Sequence, residues 1–424
     1  MPYLIYNSLL YIGAFILSPL ITWRLATTKK HRAGFSQKLG FYPPRNREKT
    51  IWIHAVSVGE VVTAEKLARA LSVKAPNFKI VITVTTPTGH EVATKKLSDI
   101  ADILYFPYDF SISAKKAVQA INPAIFITID TEIWPNVMRA CKKAGACVVL
   151  ANGRISDRSY PRYKSLSWFF KAVLLNVDAF LMQGETDAKR IVETGADPLR
   201  VKVTGSLKFD STPPGTPADK ETLKRLLGIG PNEKIFLLGS VHEGEETAIR
   251  GAIKAQTAFG ELKIVIAPRR IENLGWIEKT LEGTGLTATR KSQMPKIPEA
   301  KEKSVLIIDT FGELSKLYSV ADLVFVGGSL INHGGQNPLE PAGYGVAPMF
   351  GPSMSNFRDV AETLLGCGGA WRVENETEIE NLALSLLNDP QKRKKAGASA
   401  KSAVDKNRGT TDRTAEEIVK VMNG

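Results

Sequence analysis

Short apolar runs that alternate with helical stretches constrain this chain more than any other feature. Ile51–His54, Lys79–Thr85, Ala124–Ile129, Cys147–Ala151 and Ala179–Met182 carry almost no polar alternation. Strands of that kind are buried on both faces, as in a parallel sheet. Amphipathic stretches such as Val61–Leu71 and Asn136–Lys143 lie between them, which is the pattern of βαβ units. It breaks near Lys208–Pro217, where Ser211-Thr212-Pro213-Pro214-Gly215-Thr216-Pro217 reads as a turn-rich linker. It restarts with Lys234–Leu238, Lys263–Ala267, Val305–Ile308, Leu323–Val326 and Ala347–Phe350. The expected fold class is α/β, with two Rossmann-like, doubly wound domains joined near residue 212. Open α/β sheets bind ligands outside the carboxyl ends of their strands. The residues after each run therefore carry the functional reading, which is a two-domain transferase with a cleft between its halves.

At 424 residues the chain is too long for one ordinary core. Its net charge of +13 favours anionic partners. No zinc-finger spacing or aromatic-basic motif points to nucleic acid, and Lys392-Arg393-Lys394-Lys395 reads as a solvated helix face. Cys141, Cys147 and Cys367 lack metal-ligand spacing and are odd in number, which fits a reducing compartment and small buried side chains.

The stretch from Tyr3 to Trp23 has no charged residue. As a helix rising about 1.5 Å per residue it reaches roughly the 30 Å of a hydrocarbon core. Pro19 is expected to bend it or to end its regular part. Tyr3, Tyr6, Tyr11 and Trp23 are of the type that settles at membrane interfaces, and Arg24, Lys29, Lys30, His31 and Arg32 follow. No basic stretch precedes the apolar part, unlike a signal peptide. The reading is an N-terminal membrane anchor, residues 1–30, with the rest of the chain on the cytoplasmic face. Spanning and lying in one leaflet both remain open, as does a helix buried in the protein.

Ser57-Val58-Gly59-Glu60 lies between the run ending at His54 and the helix expected from Val61. Gly59 permits a tight turn. A carboxylate at Glu60 can accept a proton from a substrate hydroxyl, or it can merely cap the helix. Asp130-Thr131-Glu132 follows Ala124–Ile129, and Trp134-Pro135-Asn136 opens the next helix. Pro135 explains the helix boundary, but not two acids at the end of a buried strand. Close carboxylates hold a cation, a hydroxyl-rich ligand or a shared proton; two solvated acids in a loop are the plain alternative.

The second half offers phosphate-binding chemistry. Gly239-Ser240 follows Lys234–Leu238, with His242, Glu243 and Glu246 next; Gly327-Gly328-Ser329 follows Leu323–Val326; Gly334-Gly335 precede Asn337-Pro338-Leu339-Glu340-Pro341. Glycines let backbone N–H groups approach a phosphate. Arg269 supplies a fork for a phosphate or carboxylate, and Glu340 could take the two hydroxyls of a ribose.

These blocks resemble the lipid A Kdo transferases, two-domain GT-B glycosyltransferases. The likeness runs through His54–Glu60, Thr85–Gly89, Tyr105–Asp109, Glu132–Asn136, Asn152–Ser156, Gly205–Asp210, Gly239–Glu246 and Asn337–Pro341. It implies transfer of Kdo, an acidic eight-carbon keto sugar, from CMP-Kdo to a tetraacyl lipid A precursor. It implies Glu60 as base, with any further essential acid at Glu132. Asp130 stands where the family commonly has Glu, and Ser206 and Val241 where Asn and Thr are expected. CMP is implied to lie against Pro268 and Arg269, against Phe311, Gly312 and Glu313, and against Asn337, Pro338, Leu339 and Glu340, with Lys208 and Ser240 also on the donor side. The domains expected are 31–211 for the acceptor and 212–408 for CMP-Kdo, with a helix at 409–424 packing back on the first. No metal or other cofactor is expected; an anionic membrane surface is, at the inner membrane. Two other readings are a GT-B transferase or epimerase with another nucleotide sugar, and a non-catalytic nucleotide-binding anchor protein.

Overall fold

The first apolar run is the middle of a sheet because both of its faces are covered. The computed structural model describes residues 1–28, 32–43, 48–157, 159–211, 219–295 and 304–424. Nearly all of the expected linker lies outside the described residues, as do Lys29, Lys30 and His31 of the basic cluster. The chain divides into two units, Met1–Ser211 with Gly409–Gly424, and Thr212–Arg408.

The first unit holds β1 (Thr50–His54), β2 (Lys79–Val84), β3 (Ala101–Tyr105), β4 (Pro123–Ile129), β5 (Cys147–Gly153), β6 (Ala179–Met182) and β7 (Val201–Val203). All pair in parallel, in the order β3-β2-β1-β4-β5-β6-β7. Ile51 and Ile53 pack on Val61, Leu67 and Leu71 of the helix Val58–Lys74. Trp52 faces the other way, with ring centroids 4.6 Å from Phe126 and 5.9 Å from Phe106. Burying each such side chain contributes about 1.5–3 kcal/mol. The helix begins at Val58, earlier than expected, because Ser57 caps it by accepting from the Glu60 N–H. The order reverses between β1 and β4, so a crevice opens beyond their carboxyl ends. The C-terminal helix Thr410–Asn423 completes this unit, burying Ala415 and Ile418 in the same core. The Asp210 carboxylate holds its start, accepting from the Gly409 and Thr411 N–H groups at 2.8 and 2.6 Å.

The second unit holds β8 (Lys234–Val241), β9 (Leu262–Pro268), β10 (Thr287–Arg290), β11 (Ser304–Ile307), β12 (Leu323–Val326), β13 (Pro348–Phe350) and β14 (Trp371–Arg372). They too are parallel, in the order β10-β11-β9-β8-β12-β13-β14. The reversal falls between β8 and β12. Sequence reading missed β3, β7, β10 and β14, the four edge strands of the two sheets, each of which carries polar residues.

Pro19 does not end the N-terminal helix, which runs continuously as Pro2–Thr27. A proline cannot donate to the carbonyl four residues back. Here the Ser18 hydroxyl donates to that Phe15 carbonyl instead, at 2.8 Å. One flank of the helix docks on the first unit. The Tyr6 hydroxyl donates to Asp109 Oδ2 at 2.8 Å, the Tyr3 hydroxyl accepts from Asn176 Nδ2 at 2.9 Å, and Asn7 pairs with Asn136. The other flank leaves Leu4, Leu9, Phe15 and Ile16 exposed.

Asp109 joins these parts. Its carboxylate accepts from the Asn136 and Val137 N–H groups at 3.0 and 2.9 Å, capping the helix Pro135–Lys143, while it takes the Tyr6 hydroxyl. Burial pushes its carboxyl up to about 6, against the pull of those donors. A raised folded value means stability that is present below the unfolded pKa near 3.8 and lost as pH rises through 6. Asp109→Asn removes that slope and turns an amide N–H toward backbone donors. The expected loss is about 1–3 kcal/mol at neutral pH. Denaturant unfolding at pH 5 and pH 7 checks this; a variant as stable as the parent at both would contradict it.

Candidate active site

In the first unit, three acids gather at the strand-order reversal. Glu60 follows β1 in the first turn of the helix Val58–Lys74. Its Oε2 accepts from the Val56 N–H at 2.8 Å and its Oε1 from the Ser57 hydroxyl at 2.9 Å. This is a capping box, and it fixes the carboxylate in place. Burial lifts the Glu60 carboxyl above the usual range; the Val56 N–H opposes the rise and the charge of Asp130 adds to it.

Asp130 ends β4 in the left-handed region, at φ 57, a conformation that costs a non-glycine residue energy and clusters at functional sites. Its Oδ1 accepts from Asn152 Nδ2 at 2.7 Å. Asn152 has the same φ of 57, is fully buried, and accepts the Leu207 N–H on Oδ1 at 2.9 Å. One amide thus ties the ends of β4 and β5 to the segment after β7. Thr131 and Arg154 bond reciprocally beside it. Glu132 is pushed up to about 7, first by burial and then by the charges of Glu60 and Asp130. The Trp134 indole N–H draws it slightly the other way, though its Nε1 is buried without a hydrogen-bond partner of normal geometry.

His54 is no acid–base candidate. Its ring is fully buried and stacks on Phe106, centroids 3.6 Å apart. Nδ1 lies 3.0 Å from the Thr83 carbonyl, so it carries the proton. Desolvation drives its pKa down to about 3; the imidazole stays neutral and serves packing.

The second unit has a hollow of about 680 Å³ at its own reversal, lined by His242, Arg269, Arg270, His333 and Gln336 among others. β8 bulges at Ser240, whose φ is 55, so Val241 comes to pair with Pro268 and accepts the Arg269 N–H at 2.9 Å. That places Arg269 at the lip. The His242 and Gln336 side chains meet at 3.2 Å, and the His242 and His333 rings at 4.8 Å. Two guanidinium groups, two imidazoles and an amide suit an anion bearing a phosphate. Desolvation lowers the His242 pKa, and both arginines push it the same way.

The floor of this hollow depends on Glu245. Fully buried, it accepts four backbone N–H groups: His242 at 2.9 Å and Gly328 at 2.7 Å on Oε2, Ser329 at 2.9 Å and Leu330 at 3.0 Å on Oε1. It clamps the end of β8 to the end of β12. Gly327 lets the two approach, since a Cβ there would sit 2.4 Å from the Ser240 carbonyl oxygen.

The expected donor residues fall into separate places. Arg269, Pro268 and Ser240 belong to the strand-end hollow or its rim. Asn337 Nδ2 donates to Glu340 at 3.2 Å, Asn337 Oδ1 accepts the Leu339 N–H at 3.0 Å, and Pro338 leads into the short helix Leu339–Gly343. Burial raises the Glu340 carboxyl. Gly312 and Glu313 precede the helix Leu314–Tyr318, and the Phe311 side chain is 81% exposed. Lys208 belongs to the first unit, at the helix Lys208–Ser211. Sequence reading passed over Arg270, His333 and Gln336; only their closeness to Arg269 and to the Gly334-Gly335 pair marked them.

A family model described as 3-deoxy-D-manno-octulosonic-acid transferase (kdotransferase) matches residues 33–211. A Fusobacterium nucleatum protein named bifunctional glycosyltransferase/methyltransferase is 35% identical over 346 residues, which is 81% of this chain and 53% of that one. The chain therefore spans about half the length of that relative. A 3-deoxy-D-manno-octulosonic acid transferase of Rickettsia felis is 30% identical over 380 residues, 88% of this chain and 79% of that one. Among solved structures, a glycosyltransferase of Rickettsia africae matches with a TM-score of 0.60 at 12% identity, covering 89% of this chain and 98% of that one. At that identity the likeness speaks for the fold, which is GT-B.

Glu245→Gln places two amide hydrogens against backbone donors that bond the carboxylate now. The expected cost is about 1–3 kcal/mol or more, with increased amide hydrogen exchange at Gly328–Leu330. Exchange that stays unchanged at those three amides would show that the clamp does not hold the loop.

Proposed function

We propose, for a chain that belongs to the 3-deoxy-D-manno-octulosonic acid transferase family, that it transfers Kdo from CMP-Kdo to a hydroxyl of a tetraacyl lipid A precursor. Glu60 takes the proton from the acceptor hydroxyl as its oxygen attacks the anomeric carbon, and CMP leaves from the opposite face, which inverts the configuration. The reaction is proposed to need no metal or other cofactor, because CMP departs as a stable phosphate monoester.

The observation that carries this reading is the unequal environment of the first unit's acids. Glu60 accepts two hydrogen bonds that favour its ionised form. Glu132 is pushed up to about 7 by burial and by the charges of Glu60 and Asp130, so it carries a proton for part of the time at neutral pH. Carboxyls pushed apart in this way divide acid and base work. Glu60 is the base, and Glu132 is placed to donate or to spare Glu60 a second negative neighbour. Capping and catalysis are compatible here, since the capping box aims the carboxylate. Donor binding is assigned to the second unit, with Arg269 at the phosphate or the sugar carboxylate and Glu340 at the ribose. The exposed apolar flank of Pro2–Thr27 and the +13 charge support work at an anionic membrane, on the cytoplasmic face of the inner membrane.

Glu60→Gln keeps size but cannot take the proton, so turnover should fall by about 10²–10⁴, with CMP affinity unchanged. The acid limb of the pH–rate profile should lie above the ordinary carboxylate range. Asp130→Asn keeps an oxygen for Asn152 and removes the charge, so that limb should move to lower pH. Near-normal turnover in the first variant, or an unmoved limb in the second, would refute the base assignment.

Arg269→Ala should weaken CMP binding by roughly tenfold or more, the scale of one hydrogen bond to a charged group. Calorimetric titration with CMP reads this directly, and unchanged affinity takes Arg269 out of the donor site.

A further inference from the structure

A second basic hollow lies in the first unit, away from its acids. The helices Ser111–Ile121 and Pro135–Lys143 enclose about 800 Å³ between them, with Asn7 of the N-terminal helix at the edge. Lys115, Lys116, Arg139 and Lys143 line it, and no acid does. Among the described residues none of the four is paired with a carboxylate. The Lys116 ammonium lies 4.0 Å from the Phe41 ring centroid, and the Arg139 guanidinium 4.5 Å from that of Tyr3. These contacts position the cations without neutralising them.

Lys143 stands four residues after Arg139, so these two cations share one face of their helix, and Lys115 and Lys116 line the hollow from the other helix. Like charges so placed repel one another in the absence of an anion. At the border Ile112 is 60% exposed, and the Tyr11 hydroxyl of the N-terminal helix meets the Ser111 hydroxyl at 3.1 Å. Beyond Tyr11, Phe15 and Ile16 are exposed.

The hollow and the helix that carries Glu60 belong to opposite faces of the sheet. The helix carrying Glu60 covers the sheet face of Ile51 and Ile53. The helices of the hollow cover the opposite face, where Val118, Ile121, Val137 and Met138 pack with Trp52 and Phe126.

We propose that this hollow seats the phosphate of an anionic glycerophospholipid headgroup, with the acyl chains running along the exposed flank of Pro2–Thr27. It rests on the membrane reading above and adds a saturable headgroup site to it. Cations beside anionic lipid each strengthen attachment by about fivefold.

The test is sedimentation of the full chain with vesicles of phosphatidylcholine, alone or with phosphatidylglycerol. K115A/K143A should bind phosphatidylglycerol vesicles about 25-fold more weakly, with an unchanged unfolding temperature. The control K394A/K395A, which removes two charges from the second unit, should bind like the parent. An equal loss in both variants would reduce the site to diffuse attraction and overturn it. A parent that binds both vesicle types equally overturns the headgroup site and leaves the membrane reading standing; one that binds neither overturns both. Two further results would overturn it. One is unchanged vesicle binding with a raised KM for detergent-dispersed acceptor, which would make the hollow an acceptor site. The other is unchanged vesicle binding with lost calorimetric binding of inorganic phosphate, which would make it a site for a free anion.

Discussion

Helices that follow parallel strands present unanswered N–H groups at the same edge where ligands bind. In this chain, carboxylates answer them. Glu60 turns back to the Val56 N–H, Asp109 caps the helix Pro135–Lys143, Glu245 gathers four amides across two strand ends, and Asp210 holds the start of the C-terminal helix. Each keeps its place because a buried donor without a partner is costly. The same bonds therefore set the shape of both strand-end sites. Function and stability draw on one set of groups.

This dependence explains what could be read in advance. The buried strands were legible because β1, β2, β4, β5, β8, β9 and β12 are nearly uniform apolar runs covered on both faces. Glu60, Asp130 and Glu132 were legible as acids just after such runs. Glu245 stood in the block Gly239–Glu246, but nothing in the spacing distinguishes it from Glu243 or Glu246; only the fold turns it inward. Asp109 is similar: its partners Tyr6 and Asn136 are distant in sequence. Pro19 does not mark the helix end that it could have signalled, and the hydroxyl that takes the place of its missing N–H belongs to the preceding residue.

Asn152 shows how tightly the first site is specified. Its backbone is in a conformation most side chains avoid, and its amide uses one atom for Asp130 and the other for Leu207. Few residues satisfy both demands. Aspartate would repel Asp130, and glycine would release both ends. The placement of an acid at the end of β4 thus depends on a residue one strand away.

The docking of the N-terminal helix also has a consequence in time. Tyr6, Asn7 and Tyr3 bond residues 103, 129 and 173 positions later in the chain. At about 5–20 residues per second, a ribosome needs many seconds to supply those partners. Through that interval the polar side chains of the docking flank have no partner in the unit. Contacts so far apart in sequence close late, because a long loop must be ordered before they form, so this helix is among the last parts of the unit to be fixed in place.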